Sequence, residues 1–216
     1  MKIYTDGAFE MNLCGWGFAV YDVDKLIHEA SGTLGDAYGC RNVTAELHAV
    51  IEADRWLRDN HPTKKVTILS DYEGVTEWMR WQLPNANNGW KESDGWEARS
   101  AVARNCVRAL DPPRAFLSFE WIAGHSGNAG NERAHKLSMN AIYEATKDLR
   151  DASRQERVDS GFYSVSDLKN IGLTPKQIRS LGDPDQLLPN PRNSKFAPMK
   201  LYRVDNPRIV AITKTP

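Results

Sequence analysis

Residues 66–70, Val-Thr-Ile-Leu-Ser, are short, almost wholly apolar, and run straight into Asp71. Such a run of β-formers predicts a strand buried on both faces, which needs a sheet with helices above and below it. The rest of the chain supplies those layers. Residues 1–5 alternate and are rich in β-formers, so they predict a first strand, which Gly7 is expected to break, leaving Asp6 at its exit. Residues 15–22 and 26–32 read as two more strands, joined by tight turns at 12–14 and 24–25 into an antiparallel meander. A helix is expected over 45–59, capped by Thr44, with Leu47, Val50, Ile51, Asp54 and Leu57 along one face.

After Asp71 the pattern predicts a short helix from Glu73 to Trp81 and a loop rich in Asn and Gly over 84–89. A helix over 97–110 follows, stopped by Asp111-Pro112-Pro113. Residues 117–122 form another strand, and 128–149 the last helix of this unit. The order predicts an α/β fold: a mixed five-stranded sheet with helices on both faces, its meander joined to parallel strands. If the strands that lead to Asp6 and Asp71 are parallel neighbours, the two carboxylates meet at one edge of the sheet.

A chain of 216 residues has room for one such domain and a small appendage. We expect a domain over 1–150, a polar stretch over 151–160 that reads as a helix end or linker, and a small α+β module over 161–216. In that module Val165, Leu168 and Ile171 mark a helix ending at Gly172, and Thr174-Pro175 opens a second one running to Leu181. Strands over 199–204 and 208–213 would form a hairpin across Asp205-Asn206-Pro207, making the module winged-helix-like. Net charge is zero, yet residues 151–216 hold eleven Lys/Arg against seven Asp/Glu. That basic excess suits phosphates, while docking to protein stays equally open for this module. No apolar run approaches the roughly 18 residues of a membrane span, and the N-terminus reads as a strand instead of a signal peptide. Cys14, Cys40 and Cys106 are scattered and lack CxxC spacing, which points to a reducing compartment without disulfides. A cytoplasmic monomer without membrane contact is the expectation.

Four segments occur in a telling order: Thr5-Asp6-Gly7, Ala45-Glu46-Leu47-His48-Ala49, Ser70-Asp71-Tyr72-Glu73-Gly74, and residues 124–134 from Gly124-His125-Ser126-Gly127 to Asn131-Glu132-Arg133-Ala134. Together they resemble the active-site segments of the type I ribonuclease H family, and the Asp-Tyr-Glu-Gly form resembles its viroplasmin-like branch. The resemblance covers residues 1–149 or so. It implies endonucleolytic cleavage of the RNA strand of RNA–DNA hybrids, leaving 5′-phosphates. It also implies two divalent metal ions, Mg²⁺ or Mn²⁺, about 3.5–4 Å apart and held by hard oxygen ligands. Asp6 then matches the acid that bridges both ions, and Glu46 and Asp71 match acids on the leaving-group side.

The fourth acid of the family is missing. Its Asn-Glu-x-Ala-Asp pattern is here Asn131-Glu132-Arg133-Ala134-His135, so His135 stands at the aspartate's place. Imidazole suits Mn²⁺, Fe²⁺ or Zn²⁺ better than Mg²⁺. Either the site works with a softer metal, Mn²⁺ foremost, or it has decayed and the chain only binds hybrids or duplexes. An RNase H-fold nuclease for another substrate is the third alternative. His125 matches a family histidine that assists proton transfer, in a glycine-flanked loop. Hybrid recognition would fall to Asn12 and Asn42, in loops beside the acids, with Glu73 and Asn128. Val43 replaces a family asparagine. Trp78, Trp81, Trp90 and Trp96, with Arg80, Lys91 and Arg99, lie where some relatives carry a basic handle; the two tryptophans at near-helical spacing read mostly as core.

Overall fold

Strand β1 (Lys2–Glu10) runs on through Gly7, so Asp6 lies inside the strand and not at its exit. The reason is steric. A Cβ on Gly7 would lie 2.1 Å from the backbone nitrogen of Glu46, so only bare backbone lets helix α1 (Asn42–Asn60) sit directly on the strand. What does end here is the parallel pairing between β1 and β4 (Val66–Ser70), whose last register pair is Thr5 with Ser70. Strands β2 (Leu13–Asp22) and β3 (Lys25–Gly35) continue from β1 as an antiparallel meander, and β5 (Leu117–Trp121) pairs in parallel with β4. The sheet order is β3-β2-β1-β4-β5, the mixed five-stranded sheet expected from the sequence. Within β4 all residues but Thr67 are buried, as its apolar run requires.

The structure is a computed structural model that describes residues 1–36, 39–80, 117–190 and 196–213. The loop 84–89, the helix expected over 97–110, Trp81, Trp90, Trp96, Lys91 and Arg99 lie outside the described residues. Helix α2 (Glu73–Arg80) follows Asp71. Helices occupy both faces of the sheet. Ile3, Phe18, Val20 and Ile68 pack with Leu47, Val50, Ala53 and Leu57 of α1 in the main core; each such side chain contributes roughly 1.5–3 kcal/mol by burial. Side chains alternate along β1 and β2, so the opposite face carries Tyr4 and Asp6, and there helix α3 (Ala129–Ala145) packs.

Helix α1 starts at Asn42, earlier than expected, and Thr44 is not its cap. The carboxylate of Asp36 orders the turn that leads into the helix, accepting from the backbone N–H groups of Cys40 and Arg41 and from the hydroxyl of Thr44. Val43 is buried in the main core, which accounts for an apolar residue at this position.

The chain divides into two compact units, Met1–Ala145 and Thr146–Pro216. Helix α3 stops at Ala145, short of the expected 149, and the stretch expected as a helix end or linker belongs to a separate helix, α4 (Lys147–Asp159). Strands β6 (Phe162–Ser164), β7 (Gln186–Leu188) and β8 (Met199–Arg203) form an antiparallel sheet in the order β6-β8-β7. Helices α5 (Val165–Asn170) and α6 (Pro175–Arg179) each open on a capping box, Ser164 with Asp167 and Thr174 with Gln177. Leu168, Leu173, Ile178, Leu181, Tyr202 and Ile209 make this unit's own core. The expected C-terminal hairpin does not form: residues after β8 are helix α7 (Pro207–Thr213). Proline is preorganised for the first turn of a helix, Asn206 accepts from the backbone N–H of Arg208, and Ile209 turns inward. Among the described residues no helix is long and apolar enough to cross a membrane.

Candidate metal centre

Three carboxylates from distant parts of the chain converge where β1 and β4 cease to pair. One oxygen each of Asp6, Glu46 and Asp71 lie within 4.8 Å of one another. Asp6 comes from the α3 side of β1 and is 3% exposed. Glu46 stands one turn into α1, buried against the sheet because Gly7 admits the helix there, and the backbone N–H of Gly7 donates to it. Asp71 directly follows β4. Its backbone carbonyl accepts from the indole of Trp121 at 3.0 Å, and its Oδ2 from the amide of Asn131 at 3.1 Å.

Crowding of like charge out of water shows in the proton affinities. Burial, then the negative charges of Asp6 and Asp71, hold the Glu46 carboxyl well above its ordinary range against the one opposing bond from Gly7. Asp6 is also raised, first by burial; the Ser138 hydroxyl and His135 oppose that rise, and Asp71 adds to it. Among the described residues Glu46 Oε2 is buried without a hydrogen-bond partner. Native interiors rarely leave a carboxylate oxygen in that state, and a cation is the partner that satisfies it and cancels the repulsion. A hard, all-oxygen donor set of this kind fits a divalent metal ion.

His135 Nδ1 lies 3.3 Å from Asp6 Oδ1, so the histidine at the missing aspartate's place touches Asp6, while the group of ligand atoms within 4.8 Å of one another consists of the three carboxylates. His125 is exposed, with φ of 52°, and its ring stands edge-on to that of His135 with centroids 5.1 Å apart. The expected hybrid-contacting residues are more dispersed. Asn12 is exposed in the β1–β2 turn with φ of 60°, a left-handed conformation that asparagine tolerates, so the turn alone accounts for its identity. Asn42 belongs to the first turn of α1 and not to a loop; it is exposed one helical turn before Glu46, on the same stripe. Glu73 is exposed in the first turn of α2. Asn128 caps α3: its side-chain oxygen accepts from the backbone N–H groups of Gly130 and Asn131.

Two residues of the site were not singled out from the sequence. Asn131, 2% exposed, holds Asp71, and Ser138, fully buried, donates to Asp6 Oδ1 at 2.6 Å. The available signal was polarity out of place, since both fall on the inward stripe of α3 with Ala134 and Ile142.

Comparison with known proteins concerns the first unit. The family model described as RNase H matches residues 1–143. The ribonuclease H of Cyanothece sp. is 33% identical over 144 residues, covering 63% of this chain and 85% of that protein. The ribonuclease H of Hahella chejuensis is 35% identical over 153 residues, covering 67% of this chain and 95% of that protein. Among solved structures, LC11-RNase H1, isolated from compost by a metagenomic approach, superposes with a TM-score of 0.50 at 22% identity, covering 67% of this chain and 96% of that one. That last likeness concerns the fold alone. With a sheet of the expected order, its acids drawn to one edge, and a match spanning the whole first unit, this chain belongs to the ribonuclease H family.

Proposed function

We propose that this chain hydrolyses the RNA strand of RNA–DNA hybrids endonucleolytically, leaving 5′-phosphates, with divalent metal ions held by Asp6, Glu46 and Asp71. The observation that carries the reading is the convergence of three carboxylates with a buried, unpartnered oxygen on Glu46. Divalent cations bound there would supply a lowered water pKa and charge stabilisation on the scissile phosphate. The residues themselves do the following. Ser138 and His135 both hold Asp6 by its Oδ1, which leaves the second oxygen for a cation. Asn131 and Trp121 hold Asp71 by side chain and backbone. His125, exposed beside the cluster, passes a proton to the departing 3′-oxygen or to solvent.

His135 is a softer donor than a carboxylate and leaves the site one negative charge short, which favours Mn²⁺ over Mg²⁺. Asn42 and Glu73, exposed one turn from Glu46 and two residues from Asp71, would meet the 2′-hydroxyl side of the groove together with Asn12 and Asn128. The basic excess of residues 151–216 suits an accessory phosphate contact by the second unit, as against protein docking.

A second reading has one observation in its favour. His135 lies directly on Asp6, and a protonated imidazole there would neutralise the carboxylate in place of a metal, giving a hybrid-binding protein without activity. Labelled RNA–DNA hybrid, duplex DNA and duplex RNA incubated with Mg²⁺ or Mn²⁺ separate the two. Cleavage of hybrid alone, lost by at least about a thousandfold in Asp6→Asn while binding in EDTA persists, supports hydrolysis. Tight binding with no cleavage in either metal sinks it.

A further inference from the structure

Helix α3 brings Ser138 and His135, three residues apart and hence on one face, to the same oxygen of Asp6: the hydroxyl at 2.6 Å and the imidazole Nδ1 at 3.3 Å. The approach is built into the sheet opposite. A Cβ on Gly15 would lie 2.3 Å from the backbone oxygen of Ser138, and one on Gly17 2.7 Å from its backbone nitrogen. Bare backbone on β2 thus lets this turn of α3 descend until the serine hydroxyl meets β1. Ser138 is fully buried and Asp6 nearly so, which removes water as a competitor for the bond. A short bond from a buried hydroxyl to a carboxylate is of the strong, charge-assisted kind, and it restricts rotation of the acceptor.

We propose that Ser138 is a positioning residue for metal binding: its hydroxyl pins Asp6 Oδ1 and so aims Oδ2 at the space between Glu46 and Asp71. The inference rests on the reading of Asp6 as a metal ligand. It also gives His135 company. Where an imidazole replaces an anionic ligand, the weaker second anchor at 3.3 Å is compensated by a shorter one on the same atom. Without the hydroxyl only the longer imidazole contact holds the Asp6 carboxylate in the metal-free protein, and each cation must complete its ordering on arrival. Preorganisation of that kind acts on cation affinity and turnover and leaves the grip on the nucleic acid untouched.

The test is a Mn²⁺ titration of the full chain, by calorimetry and by the electron paramagnetic resonance of free Mn²⁺, alongside kcat and KM on hybrid and a thermal melt in EDTA. Ser138→Ala is expected to bind Mn²⁺ about ten- to a hundredfold more weakly, the range for a hydrogen bond to a charged group, and to lose kcat with KM for hybrid unchanged. A purely structural serine would lower the melting temperature and leave the Mn²⁺ constant alone. Ser138→Cys keeps the volume with a poorer donor and should fall between; it carries the same test if the alanine variant does not fold. Mn²⁺ binding within twofold of the parental protein in a folded variant overturns the proposal. If Asp6→Asn too leaves the Mn²⁺ titration unchanged, the metal-ligand reading of Asp6 fails instead.

Discussion

Replacing Glu46 by glutamine should make the metal-free protein more stable while destroying its activity. At an effective dielectric of about 20, two full charges separated by the 4.8 Å limit of the cluster repel by about 3.5 kcal/mol. Three ionised carboxylates would then cost about 10 kcal/mol, as much as a whole domain's stability. Burial and the charges of Asp6 and Asp71 hold the Glu46 carboxyl well above its ordinary 4.5, so the folded chain binds a proton there more readily than the unfolded one and relieves part of this cost. Because the unfolded chain ionises near that value and the folded one above it, stability is full below the unfolded pKa and falls as pH rises toward the folded one. Protonation also caps the penalty: about 4 kcal/mol at pH 7.5 and about 0.8 kcal/mol at pH 5.0.

Glu46→Gln removes the ionisable group and keeps the shape. In EDTA at pH 7.5 we expect a gain of about 1–4 kcal/mol, a rise of about 3–12 °C in the melting temperature of the first unit. At pH 5.0 the gain should shrink below about 1 kcal/mol. Saturating Mn²⁺ should narrow or reverse the order, since at a hundredfold excess over Kd it adds about 2.7 kcal/mol to the parental protein. Thermal melts followed by tryptophan fluorescence in the three conditions measure all of this. A variant no more stable than the parental protein in EDTA at pH 7.5, or an advantage undiminished at pH 5.0, refutes the picture of a buried Glu46 crowded by two neighbouring carboxylates.

Two more expectations bear on the same edge of the sheet. His135→Asp should raise the ratio of Mg²⁺- to Mn²⁺-supported kcat at least about tenfold, because a hard anionic oxygen replaces an imidazole; an unchanged ratio in steady-state assays would mean that His135 is no ligand. Gly7→Ala should cost about 3 kcal/mol or more, read as a loss of roughly 6–12 °C in the EDTA melt, since the new Cβ meets helix backbone that cannot turn aside.

Local chemistry was legible along the chain wherever one residue's environment follows from its immediate neighbours. The apolar run of β4 announced a strand covered on both faces, and the ordered acidic segments announced the family. The helical phase of α1 placed Leu47, Val50 and Leu57 inward. Misreadings arose where a distant partner overrode local preference. Gly7 looked like a strand's end and is a bare spot for α1; Thr44 looked like a cap, yet its hydroxyl donates to Asp36; residues 208–213 alternate like a strand, yet Asn206 and Pro207 start a helix there. The acids themselves could be named from sequence, but their meeting could not. Asp6 and Glu46 approach from opposite faces of one sheet, and only the end of the β1–β4 pairing brings them together. Ser138 and Asn131 were hidden for the same reason: a buried hydroxyl or amide declares its purpose only through the group it touches, and here those groups lie 132 and 60 residues away.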